Sequence, residues 1–177
     1  MGAAQMRWLA DQLATCRGPF VILTSGTMWS DDISAGKDSW GVWDSPGRER
    51  ILSLIEDRRL GGVLLLSGDR HGARILRIPR PSGFAFWEFE LGSLGAHAGP
   101  AAIGAQPSMQ PFGLTKQALF GECTFDTTVA DPTATIRIVD PEGEVRCQVI
   151  LTRSQLTPPE RRPTAASENQ PLSTTNS

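Results

Sequence analysis

The sequence predicts a mixed α/β (α+β) chain that is β-rich towards its C-terminus, and two observations carry that assignment. The first is an amphipathic run that leads straight into an apolar one. Met6, Leu9, Ala10 and Leu13 recur at helical spacing over about residues 4–16, and Gly18-Pro19 ends the run. Phe20-Val-Ile-Leu-Thr24 follows at once, the kind of strand that is buried on both faces of a parallel sheet. The second observation is that helical spacing disappears after residue 72. Arg74–Arg80 reads as a strand, and Trp87, Phe89 and Leu91 alternate with Glu88 and Glu90 as in a half-exposed one. Further strands are expected at Phe120–Val129, Ala134–Val139 and Val145–Leu151. Asp140-Pro-Glu-Gly143 has Pro second and Gly fourth, as a type I turn prefers, so the last two strands should form an antiparallel hairpin.

Between these regions, residues 26–44 show no period but hold Trp29, Trp40 and Trp43 among acidic and small residues. Three tryptophans argue for an ordered loop, its indoles serving as core plugs or a lid. Ser45-Pro46 then supplies an N-cap with Pro in the first helical position. Ile51, Leu54 and Ile55 form the apolar stripe of a helix ending near Arg59, before Gly61-Gly62. Arg48, Glu49 and Arg50 should lie on its solvated first turn. Residues 92–119 are irregular and rich in Gly, Ala and Pro. Residues 157–177 carry almost nothing apolar to bury, which predicts a disordered tail behind a folded part at 1–156.

At 177 residues the chain has room for one domain or a piece of a larger one. Its 40% hydrophobic and 20% charged residues are globular in character, and its formal charge of -2 provides no broad cationic field. Nucleic acid and anionic membrane surfaces are therefore poor partners. Cys16, Cys123 and Cys147 are odd in number and widely spaced, which predicts buried free thiols rather than a disulfide framework or a zinc knuckle. Val63–Leu66 is as long as any apolar run here and is far too short to span a bilayer, and no export signal opens the chain. The compartment stays open.

Val63-Leu-Leu-Leu-Ser-Gly-Asp-Arg-His-Gly72 is the most informative stretch. A buried strand ends in a turn flanked by Gly, and in open α/β sheets ligands collect at the carboxyl ends of strands. Asp69 and His71 leave that end two residues apart and can converge on one cation, a hard oxygen beside a neutral imidazole nitrogen. Alternatively Asp69 bonds to its own turn and His71 is a polar neighbour. A Ser67/Asp69/His71 hydrolase is disfavoured, because no G-x-S-x-G is present and triad members are assembled by the fold. Arg70 has the charge to counter an anionic substrate, or it forms a salt bridge. His97 sits in the small-residue loop Leu94–Gly99, where a structural role outweighs metal binding.

Taken in order, Gly2-Ala-Ala-Gln-Met-Arg-Trp-Leu9, Phe20-Val-Ile-Leu-Thr-Ser-Gly26, Lys37-Asp-Ser-Trp-Gly41, Arg50 and Leu66-Ser-Gly-Asp-Arg-His-Gly72 resemble the C-terminal half of PhoD-like alkaline phosphatases. These belong to the calcineurin-like metallophosphoesterases. The resemblance covers roughly residues 2–152. It implies the C-terminal half of an αββα sandwich and hydrolysis of phosphate monoesters or diesters with two or more metal ions, iron and calcium in the best-known branch. Gly68-Asp-Arg-His71 stands where that superfamily has G-H-x-H, which makes Asp69 and His71 the matching metal ligands and Arg70 an aid to charge stabilisation. The superfamily's earlier elements, D-x-H, G-D-x-x-D and G-N-H, lie upstream on other strands. The expectation is thus a partial domain, inactive alone, whose partners are a phosphate ester and the missing N-terminal half as a separate chain. A non-catalytic α/β binding module is the alternative.

Overall fold

Ala3–Thr15 forms the first helix, α1, in the computed structural model of the chain, which describes residues 1–32, 38–97, 99 and 108–160. Met6 and Leu13 face inward, as their spacing dictates. Strand β1 (Val21–Thr24) follows, then α2 (Trp40–Asp57), β2 (Val63–Ser67), β3 (Ala73–Pro79), β4 (Ala85–Leu91), β5 (Phe112–Leu114), β6 (Phe120–Asp126), β7 (Thr133–Val139) and β8 (Val145–Thr152). The first five strands form a mixed sheet in the order β1-β2-β4-β3-β5, and the last three a second sheet in the order β6-β7-β8. This is the α+β architecture expected: among the described residues both helices lie in the first third of the chain, and seven of the eight strands come after them.

The two sheets pack face to face. Leu64, Ile75 and Phe89 of the first meet Ala134, Ile136 and Leu151 of the second. The other face of the first sheet is covered by the helices, where Met6, Leu13, Ile51, Leu52 and Ile55 bury Val63, Leu65, Ile78 and Phe86. Removing a side chain such as Ile51 or Leu65 from water is worth about 1.5–3 kcal/mol. These layers fix the long axis of β2, whose C-terminal end carries the candidate site.

α2 begins earlier than its cap signals suggest. Ser39 accepts the N–H of Val42 and starts a first turn at Trp40, and Asp44 leaves the helical region (φ -156°, ψ 64°). Asp44 then caps the continuation by accepting the Gly47 N–H at 3.0 Å, one residue before the expected Ser45. Pro46 is tolerated because it lies at this new start, where no N–H is needed. The first-turn arginine is not simply solvated either: Arg48 donates to the Trp29 carbonyl at 2.9 Å and to Asp31 at 2.8 Å.

β1 departs from its expected double burial. It is the edge of its sheet among the described residues, with Ile22 43% exposed and Thr24 exposed as well. The cysteines also depart from expectation: all three are free, but Cys16 is exposed and Cys123 and Cys147 are half-buried. The C-terminal hairpin follows prediction. β7 and β8 pair antiparallel, and the turn closes through Gly143 N–H to the Asp140 carbonyl at 3.0 Å, with Gly143 at φ 86°. Of the expected tail, 161–177 lies outside the described residues, as do 33–37 of the tryptophan loop. Glu160 pairs with Arg59 at 2.6 Å. No helix among the described residues is long and apolar enough to cross a membrane.

Candidate functional site at the end of the central strand

β2 runs parallel to both β1 and β4, so its C-terminal end opens among parallel strands. β3 does not pair with β2. It lies beyond β4, to which it is antiparallel. The turn from Gly68 to Gly72 must therefore span two strand spacings, about 10 Å, and arches over the end of β4. The arch is tight for its length. Asp69 and His71 both adopt positive φ, 74° and 51°. Such angles cost a non-glycine residue roughly 1–2 kcal/mol, less for Asp. Asp69 is exposed and His71 half-buried at the mouth of the sheet.

Arg70, between them, is largely buried, and its guanidinium reaches Asp38 at 3.4 Å. This contact ties the arch to the segment leading into α2. Asp38 and Trp40 are among the residues whose order prompted the resemblance above. Arg50, also among them, is exposed.

Beneath the arch lies a floor that the alternation of β4 did not disclose. Glu88 and Glu90 were expected to face solvent, yet both are fully buried, while Trp87 is only partly so. The register explains it. Glu90 stands opposite Ser67 on one side and Arg74 on the other, so the carboxylates face the helix layer at the end of the parallel strands. Each has a partner there. Glu90 forms an ion pair with the fully buried Arg74. Glu88 accepts the backbone N–H groups of Trp29 at 2.9 Å and Ser30 at 2.7 Å. Burial pushes Glu88 up to about 7, an effect the Ser67 hydroxyl and those two N–H groups offset only in part. Burial likewise raises Glu90, against the pull of Arg74.

The tryptophans divide by role. Trp29 is buried and stacks on Trp40 with ring centroids 5.2 Å apart and planes 4° from parallel. Its indole N–H donates to the Leu66 carbonyl at 3.2 Å, and that of Trp40 to Ser25 at 2.7 Å. These two are the expected core plugs. Trp43 is 73% exposed and plugs nothing.

The loop after β4 comes back to the arch. His97 lies edge-on against His71, and the Gly99 N–H donates to the His71 carbonyl at 3.0 Å. Sequence spacing could not have paired these histidines, because the meeting depends on the arch crossing the strand from which the second loop springs. Among the described residues no group of three or more His, Cys, Asp and Glu side chains converges as a ready metal cage. A separate cleft of about 280 Å³, lined by Asp31, Asp32, Arg48 and Ile78, includes neither Asp69 nor His71.

The chain is similar to known proteins. A family model described as PhoD-like phosphatase matches residues 1–150. A solved structure titled "Structure of PhoD" superposes with a TM-score of 0.59 at 18% identity, covering 94% of this chain and 36% of that one. The likeness is one of fold, and the chain spans little more than a third of that structure's length. No curated protein matches the chain.

Proposed function

The chain belongs to the PhoD-like phosphatase family, and on that premise we propose that it carries the part of a metal-dependent phosphatase site to which Asp69 and His71 contribute ligands. The single observation behind this reading is the arch, which carries Asp69 and His71, both at positive φ, at the carboxyl end of a central parallel strand. The donors fit a metal in kind, one hard oxygen and one borderline nitrogen. They do not fill a coordination sphere, so the remaining ligands come from the rest of a PhoD-like domain.

When bound, such ions polarise phosphate oxygens and lower the pKa of a coordinated water. The chain's own residues hold and orient. Asp69 and His71 fix ligand direction through the arch, and Arg70, braced by Asp38, sets a cation beside the developing phosphoryl charge. The substrate is a phosphate ester, and the metals take the place that calcium and iron hold in the resemblance. The chain alone is incapable of turnover, and its natural partner is the remainder of the domain, supplied in the same polypeptide or as a separate chain.

The test is hydrolysis of p-nitrophenyl phosphate by this chain and by the same chain joined in frame to its upstream coding region. Turnover should appear only in the longer polypeptide and vanish with chelator or with His71→Ala. Activity indifferent to both treatments would end the metal reading, and turnover by the short chain would end the incomplete-site reading. The exposed Trp43 favours a second reading, a non-catalytic α/β module that binds a partner. It gains if the upstream region encodes no Asp, His or Asn elements.

A further inference from the structure

The chain contains two histidines, and the fold brings them together. The ring centroids of His71 and His97 are 4.5 Å apart, with the planes at 86°. Nothing in the packing demands this, because His97 is exposed and joins no core. Its position is nonetheless fixed by backbone. Ala96 N–H closes a turn on Ser93 at 2.8 Å, Leu94 N–H donates to Leu119 at 3.0 Å, and the Ser93 hydroxyl donates to Gln117 at 3.1 Å. On the far side of His97, Gly99 reaches the His71 carbonyl, and a Cβ at that position would run into the Arg70 carbonyl oxygen. Only glycine lets the loop come this close.

Two imidazoles bound to one ion at about 2.1 Å place their centroids about 3.2 Å from it, hence about 4.5 Å from each other at a right angle and about 5.2 Å at the tetrahedral angle. The observed separation meets the right-angle value, and a tetrahedral ion would part the rings by about 0.7 Å more. We propose that His97 is a second nitrogen ligand for the ion that His71 holds, making this end of the site a two-imidazole seat for a borderline divalent cation such as Zn²⁺ rather than for Ca²⁺. This rests on the reading of His71 as a ligand. The selectivity follows from donor type, because imidazole nitrogens suit zinc and iron while calcium takes oxygen.

The imidazole ¹H–¹⁵N spectrum of the whole chain, carrying no polyhistidine tag, tests it during titration with Zn²⁺. Two sets of ring signals are expected, assigned by loss of one in His71→Ala and of the other in His97→Ala. Both should move together and saturate at the same Zn²⁺ concentration, while Ca²⁺ leaves them in place. His97→Ala should weaken Zn²⁺ binding at least about 10-fold with no change in melting, because the side chain is exposed. Gly99→Ala, which keeps both imidazoles but forces the loop off the arch, should weaken it similarly. If His71 responds to Zn²⁺ and His97 does not, His97 is no ligand while the metal reading stands. If neither responds up to millimolar Zn²⁺, both fall.

Discussion

Glu88 holds the backbone of Trp29, whose N–H donates to its carboxylate at 2.9 Å although 59 residues separate the two. The same carboxylate takes the Ser30 N–H at 2.7 Å, so one buried side chain anchors the start of the tryptophan loop beneath the arch. Replacing it leaves two buried donors without an acceptor, each worth about 1–3 kcal/mol. Glu88→Ala should therefore lower the stability read by urea unfolding by about 2–4 kcal/mol, and weaken the near-UV circular dichroism of the Trp29–Trp40 stack.

Glu88 also predicts a pH dependence. Its carboxyl titrates near 7 in the folded chain against 4.5 for the ordinary group. Between these values the folded state binds more protons than the unfolded one, so stability falls as pH rises through that window and the loss is complete above it. The shift corresponds to roughly 3 kcal/mol. The stability of the native chain minus that of Glu88→Gln should decline by this order from about pH 4.5 to 7 in parallel melts, and a flat difference would contradict the assignment.

Arg74 and Glu90 are both fully buried and paired. Arg74→Met strands a carboxylate in the core and should cost about 3–5 kcal/mol in equilibrium unfolding. Arg74→Met combined with Glu90→Leu should recover most of the loss, because a buried ion pair contributes little over apolar side chains of similar volume.

His71, at φ 51°, is in a conformation glycine adopts freely. His71→Gly should raise the melting temperature slightly, because relief of roughly 1–2 kcal/mol of strain outweighs the roughly 0.4–1 kcal/mol that glycine adds in unfolded-chain entropy, while abolishing Zn²⁺ binding. A gain in stability with a loss of binding separates strain kept for a site from strain that merely connects two strands. A destabilised variant would count against the former.

Ile22, 43% exposed on the edge strand β1, marks where another part of a PhoD-like domain is expected to pair. The isolated chain should associate with rising concentration in sedimentation velocity, and Ile22→Lys should shift it towards monomer, since a charge on an open edge opposes strand addition.

Much of the fold was legible because it rests on local pattern. The spacing of Met6, Leu9 and Leu13 can only be satisfied by a helix against a core, and Asp140-Pro-Glu-Gly143 can hardly avoid a hairpin turn. Val63–Leu66 reads as a buried strand, and its Gly-bounded exit could be recognised as a place for ligands without knowing what lay around it. Asp69, Arg70 and His71 were legible as a cluster for the same reason, since they are neighbours in the chain.

The rest depended on strand order, which no period encodes. Glu88 and Glu90 alternate with apolar residues as solvent-facing side chains do, and only the placement of β4 between β2 and β3 supplied Arg74, Trp29 and Ser30 as partners that make their burial tolerable. Ile22 looked like a central-strand residue and became an edge one, because strand sequence reports hydrophobicity and not which neighbour is present. His97 looked like an ordinary loop residue until the arch carried His71 across the end of β4 and into its path. Residue order settled which side chains leave the strand end together, because adjacent positions cannot separate. Tertiary structure alone decided which distant groups surround them, because the sheet pairs backbones without regard to distance along the chain.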